Sequence, residues 1–203
     1  MIPLADLLDA ADFSGAVENL ARKFRERFAL PPVHQLGVVV PDAEAAAAAL
    51  EARGIGPFFL AAGKPAFWRE RGQERAFAGK LGLAYHHGFE IELLEPGQGS
   101  DFYRQSLDPQ GRPVVQHLGL LAPDVDAAAG ALVQAGYPVW VRGRIATGPM
   151  KTEFAYLDTV AETGLIIEFI SWKFFGLAVE PPPGLVHFLG RLEKWSGKRS
   201  ISV

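Results

Sequence analysis

Two stretches of the chain, 82 residues apart, carry one pattern of apolar and polar positions: VHQLGVVVPDAEAAAAALEARG over 33–54 and VQHLGLLAPDVDAAAGALVQAG over 115–136. Aligned without gaps over 33–59 and 115–141, the copies share eleven of 27 positions. Each opens with a short Val- and Leu-rich run that stops at Pro-Asp, the pattern of a buried strand ended by a turn. Each then changes to an Ala-rich stretch, and Ala is the best helix former. Asp42 and Asp124 stand at the N-cap positions, Glu44 and Asp126 follow where the helix dipole favours acid, and Gly54 and Gly136 supply the stops. Recurrence of the Ala run at matching positions argues for a helix rather than low complexity.

Further strand-like runs follow each helix: GPFFLA, KLGLAYHH and GFEIELLE after the first, YPVWVRG, TEFAYLD and GLIIEFIS after the second. Each unit therefore reads β-α-β-β-β. One such unit has a sheet face it cannot bury alone, so two are expected to pair. The predicted fold is α+β: two tandem βαβββ modules forming a curved, mostly antiparallel eight-stranded sheet around a cavity. Residues 33–96 and 113–172 form the modules of one domain spanning 1–203. Residues 1–30 form an N-terminal extension of one or two amphipathic helices. Residues 173–203 form a C-terminal extension with a Pro-rich break and a helix near Leu185–Trp195.

Composition narrows the function classes. The 203 residues are 49% hydrophobic and 21% charged, as in a folded globular protein. The formal net charge of −3 leaves no basic surplus for a phosphate backbone, so no nucleic-acid partner is expected. Cysteine is absent, which removes disulfides, thiolate metal sites and cysteine nucleophiles. The acidic start MIPLADLLDAADF is not expected to be a signal peptide, and no uncharged apolar run reaches membrane-spanning length. A cytoplasmic protein is the expectation, with no membrane partner.

The paired units, the HQLGV and QHLGL strand openings followed by PD and an Ala-rich helix, IELLEP and GLIIEFI together resemble the vicinal oxygen chelate superfamily. That group includes glyoxalase I, methylmalonyl-CoA epimerase, extradiol dioxygenases and bleomycin-resistance proteins. The resemblance covers Val33–Trp172, and the stretch from IELLEP to QHLGL is especially similar to methylmalonyl-CoA epimerases. It implies one divalent metal (Zn, Ni, Co or Mn) held by the first and last strand of each unit. Carried over position by position, the ligands are Gln35, Glu92, His117 and Glu168. Because strand side chains alternate, an inward His117 makes Gln35 face the cavity too and turns His34 and Gln116 away. A one-residue slip would exchange Gln35 for His34.

One amide oxygen, one imidazole and two carboxylates suit a hard divalent ion with open positions for substrate. The plainer alternative makes Glu92 and Glu168 ordinary strand glutamates and His117 a hydrogen-bonded core histidine. Two glutamates at repeat-equivalent places among apolar neighbours favour a shared role.

The resemblance implies a metal-dependent isomerase, epimerase or lyase. Glu168, with Glu92 as its symmetric partner, would remove a proton alpha to a carbonyl and leave an enediolate or enolate. The expected substrate is a 2-oxo acid, a thiol adduct or a CoA thioester, and the expected assembly a homodimer. A metal-free, bleomycin-resistance-like binding protein is the alternative. An extradiol-type dioxygenase is a further one, but it calls for two histidines and one carboxylate. Lesser expectations put His86 and His87 at a rim or outer face and Glu90 on the face of Glu92. They put Tyr156 with Asp158 opposite Phe154, and make RERGQERAF a solvated loop.

Overall fold

The computed structural model describes residues 1–180, 182–197 and the backbone of 201–202. At the N-terminus, strand β1 (Ile2–Pro3) leads into three short helices, α1 (Leu4–Leu8), α2 (Phe13–Asn19) and α3 (Arg22–Arg27). The left-handed backbone of Ala21 (φ 48°) separates the last two, so the extension is three helices where one or two were predicted. The first repeat gives β2 (Gln35–Val39), α4 (Ala43–Ala52), β3 (Phe59–Gly63), β4 (Phe67–Glu70), β5 (Gln73–Glu74), β6 (Phe77–His86) and β7 (Phe89–Gly99). The second gives β8 (Val114–Leu121), α5 (Val125–Gln134), β9 (Val139–Thr147), β10 (Met150–Leu157), α6 (Val160–Thr163) and β11 (Ile166–Phe174). β12 (Leu177–Ala178), α7 (Pro183–Ser196) and β13 (Ile201–Ser202) complete the chain.

Helices α4 and α5 start as the sequence predicts. Asp42 accepts the Ala45 amide at 2.9 Å, and Asp124 accepts the amides of Asp126 and Ala127 at 3.0 Å. Gly54 (φ 82°) and Gly136 (φ 97°) follow the helix ends in the left-handed conformation that stops a helix.

One sheet contains both repeats, in the order β3-β6-β7-β2-β8-β11-β10-β9. Within each repeat the first and last strands are parallel (β2 with β7, β8 with β11); the remaining neighbours in that order are antiparallel. These are the eight strands expected from the repeat. Two more change the shape. β3 ends at Gly63 at one end of that eight-strand order, and β4 begins at Phe67 paired to β9 at the other end. Four residue steps span at most about 14 Å, so the sheet must curl until these two ends nearly meet. RERGQERAF is consequently no free loop. Its first half forms the β4–β5 hairpin, turning through Arg71 (φ 47°) and Gly72 (φ 79°), the two positive-φ positions of a type I′ turn. Local polarity suggested a loop; a long-range pairing with β9 decided otherwise.

The curl separates two cores. Leu36, Val38, Ile91, Leu93, Leu118 and Leu120 point outward under the helices. Val39, Trp68, Leu94, Phe102, Val141, Phe154 and Tyr156 pack on the inner side. Phe154 and Tyr156 therefore share the inner face, correcting the expectation that set them apart; two residues along a strand is one full period.

At the centre β2 and β8 run antiparallel with Gln35 opposite Gly119 and Gly37 opposite His117. A Cβ at Gly37 would lie 1.8 Å from the His117 ring, and one at Gly119 would lie 2.7 Å from Gln35 Oε1. Each repeat's glycine thus makes room for the other repeat's polar side chain. Gly37→Ala should lower unfolding stability by about 2–3 kcal/mol through overpacking. Gly130→Ala, where the space on α5 is open, should raise it by about 0.5–1 kcal/mol through helix propensity. Urea midpoints of the two variants check both signs.

Candidate metal centre

Glu92 of β7, His117 of β8 and Glu168 of β11 converge at the middle of the curled sheet, their potential ligand atoms all within 4.8 Å of one another. His117 Nε2 lies 3.2 Å from Glu168 Oε2 and 3.5 Å from Glu92 Oε2. The register explains the meeting. Glu92, Gly37 and His117 form one cross-strand row, and Gln35, Gly119 and Glu168 form the next. Gln35 is the fourth residue named from the sequence; it enters the same cavity from above Gly119. The structure therefore brings Gln35, Glu92, His117 and Glu168 to one place. His34 stays outside the cluster: its ring packs 5.2 Å from Trp172 and 6.1 Å from Tyr85, with Nδ1 3.7 Å from Glu180. His86 and His87 pack against Phe13 of α2, away from the cluster.

At this point Gln35 Oε1 is buried without a hydrogen-bond partner, while buried His117 Nε2 and Glu168 Oε2 have each other at 3.2 Å, with Glu92 Oε2 3.5 Å from the same nitrogen. Leaving such an amide oxygen unsatisfied costs about 1–3 kcal/mol, and it shares its cavity with Glu92 and Glu168, two carboxylates that have one imidazole between them. The groups around Gln35 and His117 fix their direction. Gln35 donates from Nε2 to Glu90 Oε1 at 2.6 Å, which leaves its carbonyl oxygen as the free end. Gln116 donates to the Phe102 carbonyl (3.1 Å) and to Ser106 Oγ (2.9 Å), turning its own Oε1 toward His117 Nδ1 at 3.2 Å. Nδ1–H is then the donor, and Nε2 is presented to the carboxylates.

Strict alternation turns Gln116 away from the cavity, and the ladder shows why it still reaches His117. Gly37 pairs with His117 and Val38 with Val115, so Gln116 is the extra residue of a β-bulge. Nothing in the sequence marks that bulge. Tyr103 was likewise missed; its hydroxyl lies 2.9 Å from that of Tyr156, whose ring is 4.9 Å from His117.

Charge in this pocket is unbalanced. Burial alone would depress the His117 imidazolium, but Glu168 and Glu92 outweigh it and lift its pKa to about 9. Glu168 is raised by burial, with His117 opposing. Glu90 is pushed up to about 7, first by burial and then by the Glu92 charge. Burial also drives Tyr103 and Tyr156 upward. Two carboxylates thus face one imidazole, with the Gln35 amide oxygen in the same cavity, a donor set that fits a divalent cation.

The metal-free protein tests this balance. A folded pKa above the unfolded value near 6.5 stabilises the fold fully below pH 6.5, and the contribution is lost as pH rises through about 9. Nuclear magnetic resonance of ring-labelled histidine should show one imidazole titrating near 9, moving toward its ordinary value in Glu168→Gln.

Residues 32–156 match the Glyoxalase/Bleomycin resistance protein/Dioxygenase superfamily. Comparison with curated proteins gives no match. Among solved structures the chain is similar to a variant of Streptomyces coelicolor methylmalonyl-CoA epimerase in complex with 2-nitronate-propionyl-CoA. That pair shares 20% identity over 75% of this chain and 99% of that one, with a TM-score of 0.46. It is also similar to methylmalonyl-CoA epimerase from Mycobacterium tuberculosis, at 18% identity over 75% and 89% of the two chains (TM-score 0.44). A mutant 4-hydroxymandelate synthase from Streptomyces coelicolor matches at 15% identity over 82% of this chain and 55% of that one (TM-score 0.49).

Proposed function

The chain belongs to the Glyoxalase/Bleomycin resistance protein/Dioxygenase superfamily, and on that premise we propose that it is a metal-dependent isomerase, epimerase or lyase acting on a carbon alpha to a carbonyl. The observation that carries this reading is the unpartnered, buried Gln35 Oε1 in the cavity where Glu92, His117 and Glu168 converge. In this reading Gln35, Glu92, His117 and Glu168 hold one divalent ion of the Zn, Ni, Co or Mn type. When bound, its charge would favour negative charge developing on two neighbouring substrate oxygens.

The chain's own groups do the rest. Glu168, buried at the carboxylate end of the cavity, takes the alpha proton. Glu92 stands across His117 as the second carboxylate able to receive or return a proton. Gln116 holds the His117 ring in one tautomer, and Glu90 holds the Gln35 amide. The inner aromatic wall keeps water from the reacting carbon.

Metal content and proton exchange test the reading separately. Protein purified without chelator should hold about one divalent ion per chain by plasma mass spectrometry. Glu168→Gln should slow exchange of the alpha proton into deuterated water by about 10²–10⁴-fold, read by nuclear magnetic resonance on a 2-oxo acid. Exchange at the wild-type rate would remove Glu168 from this role. A metal-free binding protein is the second reading, favoured by the apolar walls; it predicts no stoichiometric metal and full ligand binding in Glu168→Gln.

A homodimer belongs to the same proposal, supported by the exposed stripe of Leu185, Phe188, Leu192 and Trp195 along α7. Light scattering should return twice the 22.0 kDa chain mass, and a monomer would contradict it. Among the described residues no helix is long and apolar enough to cross a membrane.

A further inference from the structure

Beyond the carboxylates the cavity, about 390 Å³, is lined almost wholly by apolar side chains. Trp68 stacks on Phe77 with centroids 4.5 Å apart and meets Phe154 at 5.9 Å. Leu81, Leu83 and Ile170 complete the nearer wall. Helix α7 closes one side with Leu185, Val186 and Leu189. It is firmly seated. Buried Glu193 accepts the Leu60 amide at 2.7 Å, His187 Nε2 accepts the Tyr85 amide at 3.1 Å, and Gly190 lies so close to Phe58 that a Cβ there would be 2.7 Å from its carbonyl oxygen.

Cations are scarce at this cavity. Two lysines line it and no arginine among the described residues does. Lys80 is taken by Glu44 (3.3 Å) and Glu95 (3.6 Å), which leaves Lys64. A ligand carrying several phosphates would find one free ammonium group, and a peptidic thiol would set amides and carboxylates against hydrocarbon. A cavity of this volume lined this way fits a compact ligand with an apolar body.

Resting on the reaction proposed above, we infer that the substrate is a small 2-oxo or 2-hydroxy-carbonyl compound bearing an aromatic or branched aliphatic group. It is neither a CoA thioester nor a glutathione adduct. The two oxygens face the Gln35, Glu92, His117 and Glu168 end, and the apolar group lies against the wall that the packed rings of Trp68, Phe77 and Phe154 present to the cavity.

Titration calorimetry of the Mn²⁺-treated full chain tests this with four probes: phenylpyruvate, pyruvate, methylmalonyl-CoA and the hemithioacetal of methylglyoxal with glutathione. Phenylpyruvate and pyruvate offer the same oxygens and differ by the ring. Burying the ring should tighten binding by at least about ten-fold, with the two larger probes no tighter than pyruvate. Phe77→Ala should reduce the phenylpyruvate affinity several-fold and leave that of pyruvate unchanged, a difference that misfolding would not produce.

Equal affinity for phenylpyruvate and pyruvate, or tighter binding of either large probe, overturns the inference. Metal content measured on the same samples separates the two proposals. A ring preference without stoichiometric metal keeps this assignment and removes the reaction, and metal without a ring preference does the reverse.

Discussion

Everything in this protein turns on the antiparallel seam between β2 and β8. Each strand carries one polar side chain and, two residues on, one glycine: Gln35 with Gly37, His117 with Gly119. Antiparallel pairing sets each polar side chain over the other strand's glycine. No other residue type fits there, because a Cβ would overlap the imidazole or the amide. The seam also fixes the outer strands. β7 beside β2 and β11 beside β8 bring Glu92 and Glu168 into the two adjoining rows. A slip of one residue would turn Leu36 and Leu118 into the cavity and the polar groups into the helix-covered core.

That geometry concentrates negative charge in a place nearly closed to water. Glu168 is 3% exposed, Glu90 2% and His117 fully buried. One imidazolium cannot balance both Glu92 and Glu168, and the unpartnered Gln35 Oε1 belongs to the same cavity. The aromatic pair Tyr103 and Tyr156 adds neutral hydroxyls rather than cations. Burial, repulsion between carboxylates and unmet hydrogen-bonding capacity therefore act together. Each is relieved by one divalent ion, whereas a water molecule would relieve only the last.

Much of this was legible in the sequence because it is local or repeated. The Pro-Asp stops, the Asp caps and the terminal glycines specify α4 and α5 through contacts a few residues long. The repeat gives the eight-strand order, and the exchange of His-Gln for Gln-His singles out Gln35 through simple alternation. What escaped depends on contacts distant along the chain. β4 reads as polar loop because its partner, β9, lies some 70 residues on. Gln116 reads as turned away because a bulge moves it out of register. The buried role of Glu90 needs Gln35 beside it across the β2–β7 pair. The fit of α7 against the cavity rests on Gly190 and Glu193, neither of which is unusual in a helix read alone.

In the proposed reading, two copies of one strand–helix motif meet to make a single metal centre within one chain. Crystals of the protein soaked in Co²⁺, measured on both sides of the cobalt absorption edge, test it most directly. One anomalous peak per chain is expected, enclosed by Gln35, Glu92, His117 and Glu168. A peak elsewhere, or none there while exposed carboxylates take up cobalt, would contradict it.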